Sequence, residues 1–207
     1  MITFGFDIET TGLDPFQNEI ITIQYRRGGE NFVWKSWDYG SGNEAETSII
    51  LEFLDRWQQI PRKLKGGHGD IFVGFNVEKF DVPFLLVRAI RLGIGGRSRW
   101  PDTELWWNIA GHPSYLDLYQ LLGDHLMGFA KWRKCMVGTF GEITGKQVPE
   151  LYTHRQYSII EQYVNDELAS LEKTYEAVLN EPFYKTLLEL RKKAYWGRRA
   201  VKLRVSS

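Results

Sequence analysis

Two carboxylates stand two residues apart near the start of the chain, at Asp7 and Glu9 within residues 6–12. The preceding residues 1–5 are typical of the opening of a β-strand, and along a strand alternate side chains point to the same face. Asp7 and Glu9 therefore share one face, whereas Phe6 and Ile8 point to the opposite face and into a core. Like charges this close repel, so the pattern favours a positive group between them, most simply a divalent metal ion. By itself the spacing is common by chance and is more often a solvated polar face.

Two further acids are predicted to converge on this pair. Asp81 follows a short apolar strand over residues 71–76. Because Pro83 suits the first turn of a helix, we expect the helix to start near Asp81 or Val82, with Asp81 at or near its N-terminus. α/β folds place ligand sites at such strand-to-helix junctions. Asp166 lies near the buried stripe of a helix predicted over residues 157–179, where an acid is costly unless it is paired or bound to metal. Carboxylate ligands suit Mg²⁺ or Mn²⁺, and two such ions can clamp both reacting oxygens of a phosphodiester.

The elements that must position these acids predict an α/β fold. The first strand is followed by strands over residues 18–26 and 31–37, joined at Gly28-Gly29, which together form an antiparallel meander. A helix over residues 44–59, the strand over 71–76 and further helices come next. This order predicts one mixed sheet flanked by helices.

Composition indicates the number of domains and the cellular compartment. The 207 residues fit one domain. Cys135 is the single cysteine, so neither an intramolecular disulfide nor a cysteine-based zinc site can form. We expect a reducing, cytoplasmic compartment, because neither a secretory signal nor a membrane-spanning stretch is evident.

Charge is balanced overall but unevenly distributed. The segment 185–207 holds eight basic residues against one acid, which favours a polyanionic partner, although basic tails are also often only solvated. We therefore divide the chain into a domain over residues 1–180 and a basic extension over 181–207. Two other groups of residues could contact nucleic acid or have no such role. The basic residues Lys131, Arg133 and Lys134 could follow a phosphate backbone. The pair Trp106 and Trp107 could stack on bases or pack in the core or a loop.

Three segments resemble the motifs of a known family. They are residues 6–13 (FDIETTGL), 74–85 (GFNVEKFDVPFL) and 163–166 (YVND). On these residues the chain resembles the DEDD superfamily of 3′-to-5′ exonucleases, which has a ribonuclease H-like fold. That superfamily includes the proofreading domains of family B DNA polymerases and related stand-alone nucleases. The resemblance implies a ribonuclease H-like mixed sheet, with an antiparallel three-stranded meander followed by parallel strands.

The resemblance also implies roles for the acids. Asp7 would touch two divalent metal ions, Mg²⁺ or Mn²⁺. Glu9 and Asp166 would hold the ion that activates water, and Asp81 would bind the second ion or its water shell. Asp117 resembles an acid often found between the second and third motifs, and we treat it as secondary.

Substrate contacts follow from the same resemblance. The backbone after Glu9 would lie against the terminal nucleotide, and Asn76 would contact the substrate or orient Asp81. The residues expected to bind substrate are Thr10, Thr11, Gly12, Leu13, Asn76 and Phe80.

The third motif departs from the family. Members place a Tyr four residues before the acid, or a His five before, to orient the attacking water. Here Gln162 lies four residues before Asp166, Glu161 lies five before it, and Tyr163 lies only three before it. Both positions three and four before a helical residue neighbour it on the helix surface. Either Tyr163 still reaches the site, or Gln162 positions the water and Tyr163 packs in the core.

The sequence thus predicts a metal-dependent 3′-to-5′ exonuclease acting on single-stranded DNA or frayed 3′ ends, with RNA as an alternative substrate. No polymerase domain is evident in this chain. We therefore expect a stand-alone nuclease or a subunit whose protein partner supplies a polymerase or repair function. The alternatives are a structure-specific endonuclease of the same fold and a catalytically weak nucleic-acid-binding module.

Overall fold

The computed structural model of the protein describes residues 2–60, 71–95, 109–110, 115–122, 131, 133–134, 137–138 and 143–182. Three of the features considered above lie outside these residues: the basic extension beyond residue 182, the pair Trp106 and Trp107, and Cys135. Among the described helices, none is long and apolar enough to cross a membrane.

One mixed sheet of five strands organises the described residues. Its strands are β1 (Ile2–Thr10), β2 (Ile20–Arg27), β3 (Glu30–Lys35), β4 (Ile71–Gly74) and β5 (Tyr115–Asp117). Their order across the sheet is β3-β2-β1-β4-β5. The first three strands pair antiparallel, while β4 runs parallel to β1 and β5 runs parallel to β4. This is the predicted ribonuclease H-like arrangement, with β1 at the centre.

Helices flank the sheet on both faces. They are α1 (Gly42–Trp57), α2 (Asp81–Arg91), α3 (Leu118–Leu122), α4 (Val148–Thr153) and α5 (Tyr157–Asn180). Short 3-10 turns occur at Ser36–Asp38 and Gly145–Gln147. Helix α2 begins at Asp81 as predicted, because Pro83 in its first turn has no N–H to donate and none is needed there.

Strand β1 separates two apolar layers. Phe6 and Ile8 are 2% and 4% exposed and face the larger core, where the ring of Phe6 lies 5.3 Å from Phe53 and 5.4 Å from Trp57 of α1. The opposite face of the sheet packs against α5 through a separate cluster that includes Leu168. Asp7 and Glu9 alternate with Phe6 and Ile8, so they point to the face that α5 covers.

A bulge at Gly5 lets α5 approach β1. The β1–β2 register shifts between Phe4 and Asp7, and Gly5 has a φ of +59°. A Cβ added at Gly5 would lie 2.6 Å from Leu168 Cδ2 and 3.2 Å from Leu171 Cδ2. Both the backbone conformation and the space therefore require glycine at this position.

Ion pairs fix α5 against the antiparallel half of the sheet. Arg26 of β2 donates from Nε to Glu172 at 2.5 Å, and Lys35 of β3 lies 2.9 Å from Glu161. Partly exposed pairs contribute less than about 1 kcal/mol each. Their value lies in setting the position of α5 along the strands.

Replacing Gly5 by Ala should destabilise the protein by about 2–5 kcal/mol, since a positive φ costs about 1–2 kcal/mol for an L-residue and overpacking costs about 1–3 kcal/mol. Gly28 is the matched control, because its φ is +62° but a Cβ there meets nothing within 4 Å. Gly28→Ala should therefore cost only the conformational part, about 1–2 kcal/mol. Denaturant unfolding of both variants checks this, and equal losses would show that α5 does not press on Gly5.

Candidate active site

Three carboxylates converge where α5 crosses β1. Asp7 and Glu9 come from the strand, and Glu167 comes from the helix. Each residue offers one ligand atom, and these three atoms all lie within 4.8 Å of one another. Asp7 and Glu167 are half-buried, whereas Glu9 is buried. The pairing of Asp7 and Glu9 follows the alternation that the sequence indicates.

The acid that α5 contributes is Glu167, and the prediction of Asp166 requires correction. Among the described residues, Asp166 belongs neither to this cluster nor to the lining of the cavity beside it. Successive residues of a helix are rotated by about 100° about its axis. Both residues lie at the edge of the buried stripe, and the orientation of α5 on the sheet turns Glu167 toward β1.

With Glu167 in the cluster, Tyr163 lies four residues before the acid, which is the spacing that the family resemblance requires. Tyr163 is 8% exposed, and its hydroxyl forms hydrogen bonds with Glu9 and Glu167. Its pKa is raised, first by burial and then by the negative charge of Glu167. Gln162, the other candidate, is exposed and is not among the described residues that line the cavity.

Asp81 approaches the cluster from the first turn of α2. It is 3% exposed, and Oδ1 accepts a hydrogen bond from the backbone N–H of Ile8 at 3.0 Å. Its carboxyl group also lies within hydrogen-bonding reach of Asp7. The bond to Ile8, which lies between Asp7 and Glu9 in β1, ties the α2 acid to the strand that carries the other two.

A cavity of about 350 Å³ opens beside these acids. Asp7, Asp81 and Glu167 form its polar side. Its other lining includes the aromatic residues Phe75, Phe80 and Tyr119, together with Asn76. Two of the predicted substrate residues, Asn76 and Phe80, thus border the acids, while Tyr119 was not singled out from the sequence.

Asp117 holds the loop that presents Asn76. Its carboxylate accepts hydrogen bonds from the backbone N–H groups of Asn76 at 2.7 Å, Tyr119 at 2.9 Å and Glu78 at 3.4 Å. Asn76 adopts a φ of +64°, an unusual conformation for a residue with a side chain. The hydrogen bonds that the Asp117 carboxylate accepts supply a local reason for this conformation. Asp117 therefore shapes the cavity wall rather than contributing to the acid cluster.

Hydrogen bonds within the chain hold the loop after Glu9. The hydroxyl of Thr10 donates to the carbonyl of Gly12 at 2.6 Å, and the hydroxyl of Thr11 accepts from the N–H of Glu19 at 2.9 Å. Leu13 is nevertheless 83% exposed. Thr10, Thr11, Gly12 and Leu13 are all described, and none of them lines the 350 Å³ cavity itself.

A buried ion pair fixes the far side of this loop. Glu46 of α1 and Arg88 of α2 are 1% and 5% exposed, and they form a bidentate pair at 2.8 Å and 2.5 Å. Their remaining bonds go to the loop: Glu46 Oε1 accepts from the N–H of Ile20 at 2.9 Å, and Arg88 donates to the carbonyl of Pro15 at 3.3 Å. An ion pair between two helices thus determines the shape of the loop that follows Glu9.

The acids raise one another's pKa. Burial raises the pKa of Glu9 and of Asp81, and the charge of Asp7 raises both further. The pKa of Asp7 rises from 3.8 to about 8, first through burial and then through the charge of Glu167. Burial also raises the pKa of Glu167, against the opposing hydrogen bond from Tyr163 and the positive charge of Arg133. The cluster therefore favours protons or other cations at neutral pH.

Arg133 has a different place from its neighbours Lys131 and Lys134. The two lysines are exposed, whereas Arg133 is 6% exposed and donates to the hydroxyl of Ser170 at 3.2 Å. Ser170 lies three residues after Glu167 on α5, so the guanidinium supports the helix that carries the acid. A surface role along a phosphate backbone does not fit this burial of Arg133.

The residues present fit divalent metal ions. All donors in the cluster are carboxylate oxygens, the ligands that Mg²⁺ and Mn²⁺ prefer. Oε2 of Glu167 is buried and has no hydrogen-bond partner among the described residues. A buried oxygen with charge and no donor is costly, and a cation would satisfy it.

Comparison with known proteins identifies the family. Residues 14–185 match a family described as a predicted 3′-5′ exonuclease related to the exonuclease domain of PolB. The chain belongs to this family. The matched region begins after Asp7 and Glu9, so the assignment to these exonucleases is independent of the two acids that first suggested it. No curated protein matches the chain.

A solved family B DNA polymerase contains a region with the same fold as this chain. The family B DNA polymerase from the hyperthermophilic archaeon Pyrobaculum calidifontis superposes with a TM-score of 0.62 at 19% identity, covering 86% of this chain and 24% of the polymerase. E. coli exonuclease I in complex with a dT13 oligonucleotide gives a TM-score of 0.38 at 15% identity, covering 59% of this chain and 29% of that one. The chain thus spans about a quarter of the polymerase.

Removing Arg88 should destabilise the protein by about 3–5 kcal/mol, because Arg88→Met leaves Glu46 charged and buried without its partner. The double variant Glu46→Leu/Arg88→Met should recover part of this loss, since neither charge remains. In both variants the amide protons of residues 11–20 should exchange faster, as the loop has lost its fixed partners. Denaturant unfolding and hydrogen exchange measure the two effects, and unchanged exchange in this loop would show that the ion pair does not hold it.

Without metal, the stability of the protein should fall as pH rises from about 4 to about 8. In this window the folded protein keeps protons on its buried acids that the unfolded chain has released, so the free energy of unfolding decreases. The pKa of Asp7 alone is raised from 3.8 to about 8. Calorimetric Tm values in chelator should show the decline, and Asp7→Asn should make it shallower. Equal slopes for the two proteins would rule out Asp7 as a source.

Proposed function

We propose that this chain is a metal-dependent 3′-to-5′ exonuclease that hydrolyses phosphodiester bonds of single-stranded DNA with two divalent ions, Mg²⁺ or Mn²⁺. The observation that carries the proposal is the cluster of Asp7, Glu9 and Glu167, whose ligand atoms lie within 4.8 Å of one another. The cluster opens directly onto the 350 Å³ cavity. Membership of the exonuclease family supports the same reaction.

The four acids divide naturally into two groups around Asp7. Glu9 and Glu167 share the three-carboxylate cluster with Asp7, and Asp81 lies within hydrogen-bonding reach of Asp7 from α2. Asp7 would therefore be shared by two ions, with Glu9 and Glu167 completing one site and Asp81 contributing to the other. When bound about 4 Å apart, such ions lower the pKa of water and neutralise charge on the reacting phosphate.

Tyr163 would orient the attacking water. Its raised pKa keeps the phenol protonated, so Tyr163 acts as a hydrogen-bond donor and acceptor rather than as a base. Gly145 makes room for it, because a Cβ at Gly145 would lie only 3.2 Å from the Tyr163 hydroxyl oxygen. The hydroxyl is thereby held at the edge of the acid cluster, between Glu9 and Glu167.

The cavity would hold the 3′-terminal nucleotide. Phe75, Phe80 and Tyr119 offer aromatic surfaces, and stacking of a base on such a surface is worth about 1–3 kcal/mol without regard to sequence. Water would attack the phosphorus of the last linkage, and the bond to the O3′ of the preceding nucleotide would break. The products are a nucleoside 5′-monophosphate and a strand one nucleotide shorter with a free 3′-hydroxyl.

Glu167→Gln should abolish most cleavage of a 5′-labelled single strand in Mg²⁺ or Mn²⁺, whereas Asp166→Asn should not. Loss of residues that only support metal ligands already costs about 10- to 100-fold, so loss of a ligand should exceed roughly 100-fold. Asp166 is outside the cluster, and its variant should stay within roughly twofold of wild type. The initial rate at which the full-length strand shortens from its 3′ end measures both.

The same assay separates the rival functions. Discrete internal cuts instead of a ladder would indicate an endonuclease, and binding without cleavage in either metal would indicate a nucleic-acid-binding module. An RNA strand of the same sequence, run beside the DNA, decides the preferred sugar. The assignment of Glu167 would be overturned if Asp166→Asn were the inactive variant of the pair.

A further inference from the structure

We propose that Gln24 is a positioning residue for the metal site, which holds the carboxylate of Asp7 in the orientation that binds cations. This inference rests on the proposed function only in that it assigns metal binding to Asp7. Neither the sequence motifs nor the family resemblance points to Gln24, which lies on β2 outside all three motif segments. It is the register of the β1–β2 pair that places it beside the acid.

Gln24 lies directly opposite Asp7 in this antiparallel pair, and Thr22 lies opposite Glu9. Directly opposed residues project to the same face of a sheet with their Cβ atoms about 4.5–5.5 Å apart. The amide Nε2 of Gln24 donates to Oδ2 of Asp7 at 2.6 Å. The bond to Gln24 thereby fixes the Oδ2 oxygen of Asp7 and, with it, the plane of the carboxylate.

Burial makes the amide of Gln24 unusual on this strand. Gln24 is 0% exposed, and Oε1 has no hydrogen-bond partner among the described residues. Its neighbours Ile23 and Tyr25 are buried apolar residues of the core behind the sheet. An apolar side chain at position 24 would avoid the unmet oxygen, so packing alone gives no reason for an amide. The bond to Asp7 does give a reason.

The amide of Gln24 carries no charge, which leaves the negative charge of the cluster available to metal ions. A lysine or arginine opposite Asp7 would orient its carboxylate equally well, but it would compete with metal ions for the negative charge. Gln24 donates a hydrogen bond without changing the charge of the cluster, so the attraction of Asp7, Glu9 and Glu167 for cations is retained. Partners that orient metal ligands typically affect metal affinity by about 10- to 100-fold.

Thr22 provides a matched control two residues away. Its side chain is on the same face of the same strand, is 1% exposed, and its hydroxyl has no hydrogen-bond partner among the described residues. Thr22→Val removes this hydroxyl with almost no change in shape. Any general effect of altering the polar face of β2 would appear in this variant, whereas the loss of a bond to Asp7 would not.

The test compares Gln24→Met, Gln24→Asn and Thr22→Val in the full chain. Methionine has similar length but lacks a donor, and asparagine keeps the amide but is one methylene too short to reach Asp7. Mn²⁺ affinity is measured by calorimetric titration, folding by thermal unfolding, and cleavage at a series of Mn²⁺ concentrations. Both Gln24 variants should bind Mn²⁺ about 10- to 100-fold more weakly, and saturating Mn²⁺ should restore most of the cleavage rate. Thr22→Val should match wild type within roughly twofold.

The outcomes distinguish this inference from the proposed function. Wild-type affinity for Mn²⁺ in either folded Gln24 variant overturns the role of Gln24, whatever the nuclease activity. Weaker Mn²⁺ binding by the Gln24 variants, in a protein that cleaves no nucleic acid, supports the role of Gln24 and overturns the exonuclease. If the wild-type protein binds no Mn²⁺, both proposals are overturned. If Thr22→Val weakens Mn²⁺ binding as much as the Gln24 variants do, only the role of Gln24 is overturned.

Discussion

Repulsion among buried carboxylates is the constraint on which the rest of this structure depends. Asp7, Glu9 and Glu167 place ligand oxygens within 4.8 Å of one another, and Asp81 adds a further acid that is 3% exposed. Such a cluster opposes folding unless protons or metal ions neutralise it. The protein must therefore gain stability elsewhere. The opposite face of β1 supplies it, because Phe6 and Ile8 anchor the aromatic core formed with α1.

Backbone N–H groups hold acids of the same type in different places. Asp81 accepts from Ile8 and keeps a position at the cavity, whereas Asp117 is occupied by N–H groups of the Asn76 loop and Tyr119. The first is tied to the strand of the candidate active site, and the second shapes the wall of the cavity. The two residues differ in the number of donors that surround each carboxylate, not in their chemistry.

Buried polar groups that are not themselves part of the acid cluster determine the precision of the site. The Glu46–Arg88 pair is a poor source of stability, since burying two charges costs nearly as much as their attraction returns. It does fix a loop, because its spare bonds go to backbone atoms at Pro15 and Ile20. Gln24 likewise restricts one side chain, the carboxylate of Asp7. In both cases a buried polar group restricts conformation around the residues that would meet substrate and metal.

The sequence by itself determined the meander, the start of α2 at Asp81, and the common face of Asp7 and Glu9, because these follow from local rules of strand alternation and helix capping. Helical periodicity did not separate Asp166 from Glu167, which lie about 100° apart on α5, and the one sequence signal for Glu167 was its spacing of four residues from Tyr163. That choice depends on how α5 lies across the sheet, which the glycine at position 5 and the Arg26–Glu172 pair set. The positions of Arg133 and Gln24 were likewise decided by tertiary structure, since burial of the first and strand register for the second arise only when distant segments pack.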